Sequence, residues 1–172
     1  MAVPEYENGR VVVPAVQAFT SRGTQVTKVD LPIVENIDIS DYTAIKKSVD
    51  YFFDIPAGCP KYIVNIDETG YGLLQISTDR LRSRKLFSWG NQDASNHWQE
   101  YLTDKAGRYL EIQAGLGKTQ YGCIPMAPHT AWEWMECYGP AHSEELSAEV
   151  FAQSFEERRA CVTEYLAEHD LI

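Results

Sequence analysis

No stretch of this sequence approaches the roughly 18 consecutive apolar residues that span a bilayer. The opening residues, Met1-Ala2-Val3-Pro4-Glu5, lack the basic and apolar regions of a secretory signal, so the expected location is cytoplasmic. Basic residues are scarce. Fifteen Lys and Arg face 25 Asp and Glu, for a formal net charge of −10. This excludes non-specific nucleic-acid binding, which depends on Lys and Arg neutralising phosphates. It equally excludes an anionic membrane surface as partner. The four cysteines, Cys59, Cys123, Cys137 and Cys161, contain no C-x-x-C pair. A zinc ribbon or a dithiol redox motif is therefore not expected. The chain is long enough to bury a core without staples, and the thiols read as reduced.

Nucleotide and metal motifs are also missing. "LEIQAGLGKTQYG" ends like a phosphate-binding loop at Gly117-Lys118-Thr119, but the pattern G-x-x-x-x-G-K-[ST] requires a first glycine where Ile112 stands. Gly122, Pro125 and Pro128 follow, and they do not open the helix that would face a phosphate. His97 and Glu100 have H-x-x-E spacing. On a helix this offers two metal ligands, whereas on a strand it splits them to opposite faces, and no further histidine clusters nearby. There is no G-x-S-x-G elbow. The expectation is no metal and no cofactor.

What is present is β-structure. "TQVTKVDLPIV" alternates with a period of two. "KYIVNIDETGYGLLQIST" reads as a hairpin turning at Asp67-Glu68-Thr69-Gly70. "YFFDI", "RKLFSWG", "RYLEIQAGL" and "TAWEWMECYG" read as further strands, and "NQDASN" as a polar connector before "HWQEYLTD". Ser40-Asp41 can cap a short helix. Strands recurring about every ten residues predict a mostly β, antiparallel β-sandwich over residues 1–140. After Gly139-Pro140 the character changes. Residues 141–172 read as a short C-terminal helical tail of two helices, one capped by Ser143 and one opened by a Ser154/Glu157 capping box.

Strand alternation arrays chemistry on two segments. In "YLEIQAG", Tyr109, Glu111 and Gln113 share a face opposite Leu110, Ile112 and Ala114. In "AWEWMECYG", Trp132, Trp134, Glu136 and Tyr138 share a face. Trp98 lies next to Gln99 and Glu100. Aromatic rings accept the C–H face of a sugar, while carboxylates and amides accept and donate to its hydroxyls. The same tryptophans would also suit a two-sheet core. Arg80, Arg82 and Arg84 repeat at period two and read either as an anion site or as a solvated strand face.

The segments "STDRLRSRKLFSWG", "WQEYL", "RYLEIQAGL" and "WEWMECYGP" resemble an uncharacterised family of bacterial domains. That family's fold is similar to galactose mutarotase, and its members commonly precede tetratricopeptide repeats. The resemblance covers roughly residues 10–140. It implies part of a galactose-mutarotase-like β-supersandwich, with the tail helices leading towards a repeat array. Mutarotase-type ring opening uses an acid and a base, commonly a glutamate with histidines. No histidine of this chain matches that role, and Glu111 is the candidate general base. The expectation is a carbohydrate-recognising domain using Glu111, Gln113, Trp98, Trp134 and Glu136, with Arg82 and Arg84 orienting an acidic group. The rivals are an aldose epimerase-like enzyme and a structural module beside a repeat domain. Exposed sheet edges also point to a homodimer.

Overall fold

The computed structural model describes the backbone of all 172 residues and every side chain except that of Arg22. Twelve strands form in chain order: β1 (Ala2–Pro4), β2 (Arg10–Val12), β3 (Gln17–Arg22), β4 (Gln25–Asp30), β5 (Ile33–Val34), β6 (Ile37–Asp38), β7 (Val49–Phe53), β8 (Lys61–Ile66), β9 (Tyr71–Ser77), β10 (Ser83–Ser88), β11 (Tyr109–Gly115) and β12 (Glu136–His142). There are three α-helices, α1 (Asp93–Thr103), α2 (Glu144–Ala152) and α3 (Phe155–Glu168), and one short 3-10 helix, Tyr42–Ala44, capped by Asp41. A six-stranded sheet runs in the order β1-β11-β10-β7-β3-β4, and a four-stranded sheet in the order β12-β9-β8-β2. Their pairings are antiparallel. β5 and β6 make a separate small ribbon.

The two larger sheets stack as a sandwich because each strand turns alternate residues inwards. Val3, Ala18, Tyr51, Phe53, Leu86, Leu110 and Ile112 of the six-stranded sheet share one core with Val11 and Ile63 of the other. Leu110 and Ile112 are fully buried. Burying each stabilises the fold by roughly 1.5–3 kcal/mol. The opposite face of the four-stranded sheet is apolar too. Val12, Tyr62, Val64 and Ile66 form a second core with Leu146 and Val150 of α2 and Val162 and Leu166 of α3. The layers therefore run helices, four strands, six strands. Because β8 is buried on both faces, all six of its residues are inaccessible.

The helical tail is seated by one turn. Gly70 closes the β8–β9 hairpin with φ of +85°, and a Cβ there would meet the Ser143 backbone at 2.6 Å. Glycine fits because it has no Cβ. The Ser143 N–H donates to the Gly70 carbonyl at 2.9 Å, and the Ser147 hydroxyl donates to the Asp67 carbonyl at 2.6 Å. Ser143 caps α2 by accepting from the Leu146 N–H, and Ser154 and Glu157 form the expected capping box of α3.

Two segments differ from the expectation. The residues after Gln92 form a helix, α1, rather than belonging to the run of strands. Its buried positions are Ser95 and Gln99, so it shows no apolar period in the sequence. Gln99 anchors it by accepting the Tyr109 N–H at 3.1 Å. The second difference is the start of β12, which forms only at Glu136. Its partner β9 ends at Ser77, paired with Glu136, so Trp132 and Trp134 have no strand opposite them. They lie in the 116–135 connection.

Candidate functional site

The outward face of β10 and β11 gathers the richest chemistry. Leu110 and Ile112 point into the core, so Tyr109, Glu111 and Gln113 face out, as alternation predicts. All three are half-buried. Gln113 Nε2 donates to Glu111 Oε2 at 2.8 Å, which fixes the carboxylate and leaves its second oxygen available. Directly across the ladder, Phe87 pairs with Glu111 and Lys85 with Gln113. Trp89 packs edge-on between them, with ring centroids 5.0 Å from Phe87 and 6.1 Å from Tyr109. A row of three aromatic rings thus borders a carboxylate–amide pair. On the other side of Glu111 the register partner is Ala2, which adds no bulk.

Towards β7 the same face is electrostatically closed. Lys85 pairs with Asp50 at 2.7 Å, donates to Gln120 Oε1 at 3.1 Å, and sits 5.3 Å from the Phe52 ring centroid. Tyr121, from the connection after β11, packs on Phe52 and donates to Ser21 Oγ at 2.8 Å. Further along, Asp54 lies between Lys28 at 2.8 Å and Lys118 at 3.1 Å. Burial alone would raise the Asp54 pKa. The hydrogen bonds and charges of the two lysines outweigh it and hold the carboxyl below its usual value.

The other sequence candidates fall elsewhere. β11 and β12 belong to different sheets, so their two faces do not form one wall. Glu136 sits at the edge of the four-stranded sheet, where its Oε1 accepts from Gln75 Nε2 at 2.8 Å and from the Tyr138 hydroxyl at 2.6 Å. Burial first, and then the Glu136 carboxylate, push the Tyr138 pKa up to about 12. Trp134 is exposed beside this cluster in sequence but off the strand. Trp98 is exposed on α1 and meets Tyr101 edge-on at 6.0 Å between ring centroids, with no place on the β10–β11 face.

The arginines separate as well. Arg84 points into the sandwich and is fully buried, with Nη2 donating to the Lys61 carbonyl and to Ser77 Oγ, and Nη1 to the carbonyls of Leu81 and Ser83. Burial pulls its pKa down to about 10, against the opposing field of Glu136. Its donors serve the fold, and it cannot reach a ligand. Arg82 is exposed and lines a groove at the end of the sandwich. Phe87 and Trp89 did not emerge as candidates from the sequence. Their signal was the alternation in "RKLFSWG", which puts Lys85, Phe87 and Trp89 opposite the inward Arg84 and Leu86.

A family model described as a domain of unknown function, DUF5107, matches residues 23–147. The chain belongs to this family. The matched residues run from the β3–β4 turn into α2 and include all of β10, β11 and β12. No solved structure matches the chain.

Proposed function

We propose that this domain recognises carbohydrate on the outward face of β10 and β11. One observation carries the reading: Glu111, hydrogen-bonded to Gln113, stands in register with Phe87 and beside the edge-on Trp89–Tyr109 pair. A pyranose has an apolar C–H face and a rim of hydroxyls. Rings serve the first, and a carboxylate with an amide serves the second, acting as acceptor and donor. The resemblance to galactose-mutarotase-like domains supports the same reading. In it, this sandwich is part of a β-supersandwich adjoining a tetratricopeptide array.

Recognition fits these residues better than ring opening does. β10 and β11 present one carboxylate, Glu111, and no histidine, whereas epimerisation needs an acid and a base on the substrate. Trp98, Trp134 and Glu136 are left out of this site because the fold places them on other elements.

Isothermal titration with glucose, galactose and their oligosaccharides tests the proposal. Binding by the native chain should weaken about tenfold in Glu111→Gln, the loss of roughly one charge-assisted hydrogen bond. Tyr109→Ala should weaken it further through loss of an aromatic ring from the site. The absence of binding to every sugar, or binding indifferent to both substitutions, would refute it.

A further inference from the structure

We infer that the groove around Arg82 is a separate binding site for a small organic anion. Two adjoining cavities, of about 600 Å³ and about 520 Å³, share Asp79, Arg82 and Lys118 in their walls. Each has the size of an ordinary small-molecule pocket.

The cations of this groove are under-used. Arg82 is exposed and makes no hydrogen bond or ion pair with any other described residue. Lys61, in the wall of the larger cavity, is buried. Its ammonium donates to the carbonyls of Pro56 at 3.1 Å and Cys59 at 2.8 Å. Among the described residues it has no carboxylate partner, and two carbonyls occupy only two of its three donors. Behind it the Lys61 carbonyl accepts from the buried Arg84, which adds a second cation held by neutral acceptors. Arg84 has the field of Glu136 to offset it, but the buried Lys61 ammonium has no carboxylate partner among the described residues; that is costly, and an incoming anion relieves it.

Two carboxylates line the same walls. Asp54 is already held by Lys28 and Lys118. Asp79 is exposed and makes no ion pair among the described residues. Lys61, Arg82 and Lys118 therefore outnumber the two acids locally, in a chain whose net charge is −10. The smaller cavity adds an apolar wall from Leu116, Ile124 and Trp132, with Arg80 over the Trp132 ring at 6.0 Å. A planar guanidinium fork suits a carboxylate or a phosphate. The ligand class is a monosaccharide-sized molecule that carries one such group and a ring-shaped body.

This inference does not rest on the β10–β11 face, and the test separates the two. The full chain is titrated with galacturonate, glucose 6-phosphate, inorganic phosphate and neutral galactose, followed by calorimetry. At least one of the three anions should bind saturably and more weakly as salt rises. Arg82→Gln should weaken that binding about tenfold. Asp79→Asn, which removes a repelling charge, should strengthen it severalfold. Both positions are exposed, so both variants should fold. Galacturonate against glucose 6-phosphate distinguishes the two oxyanions, and equal affinity for inorganic phosphate would overturn the assignment to an organic anion with a ring-shaped body. Glu111→Gln should leave the salt-sensitive, Arg82-dependent part of this binding unchanged, whatever it does to sugar binding on β10 and β11. Failure of all three anions, or affinity that ignores Arg82→Gln and Asp79→Asn, would overturn the site.

Discussion

Arg84 of the six-stranded sheet donates to the backbone carbonyl of Lys61 in the four-stranded sheet, at 2.6 Å, from a fully buried position. One guanidinium thereby stitches the two sheets at the end of the sandwich, with Ser77, Leu81 and Ser83 as further acceptors.

Arg84→Ala should therefore destabilise the protein strongly. It leaves buried carbonyls without donors and opens a cavity, which together amount to about 3 kcal/mol or more. Urea unfolding measures this. A change within about 0.5 kcal/mol, the range of a neutral surface substitution, would show that the stitch is not structural.

The Gly70 turn sets where the tail helices dock. Gly70→Ala forces a left-handed residue with a side chain against the Ser143 backbone. A loss of about 2 kcal/mol is expected in denaturant unfolding. Ser147→Ala, which removes the bond to the Asp67 carbonyl, should lose about 1 kcal/mol without affecting the turn.

Much of the fold was legible because its strands obey simple alternation. The β8–β9 hairpin, the β11 face of Tyr109, Glu111 and Gln113, and the Ser154 capping box all follow from local pattern. What local pattern lacks is the identity of a strand's neighbour. Nothing in "AWEWMECYG" says that β12 joins the sheet opposite β11, or that β9 stops before it can pair with Trp134. Polar residues misled for a related reason. Arg84 looked like a member of an outward series, but a guanidinium with four acceptors can be buried, and two of those acceptors, the Lys61 carbonyl and Ser77 Oγ, come from the other sheet. In α1, the buried Ser95 and Gln99 hid a helix whose contacts are hydrogen bonds rather than apolar packing.

Asp54 gives a pH dependence of defined sign. Its native pKa lies below that of a free aspartate, because the hydrogen bonds and charges of Lys28 and Lys118 outweigh its burial. The native state thus binds that proton less readily than the unfolded chain does. The stabilisation is fully present above the unfolded pKa and is lost as pH falls through the native one. The stability gap between the native chain and Asp54→Asn should be constant near about pH 7 and shrink towards about pH 3. A gap that widened on acidification would contradict the paired arrangement.

Tyrosine titration reports on the edge of the four-stranded sheet. Burial first, aided by Glu136, holds Tyr138 at about 12, and burial holds Tyr42 and Tyr62 at about 12. Absorbance titration should show a late-ionising group of tyrosines, and Tyr138→Phe should remove one member of it. Glu136→Gln should bring Tyr138 down, because a neutral amide no longer opposes the phenolate.

The central claim is that sugars bind on β10 and β11. Mapping amide shifts by NMR during titration with galactose and glucose oligosaccharides tests it most directly. The account predicts saturable shifts concentrated on Phe87, Trp89, Tyr109, Glu111 and Gln113, and absent from Trp98 and Trp134. No saturable shift with any saccharide, or shifts confined to residues away from that face, would contradict it.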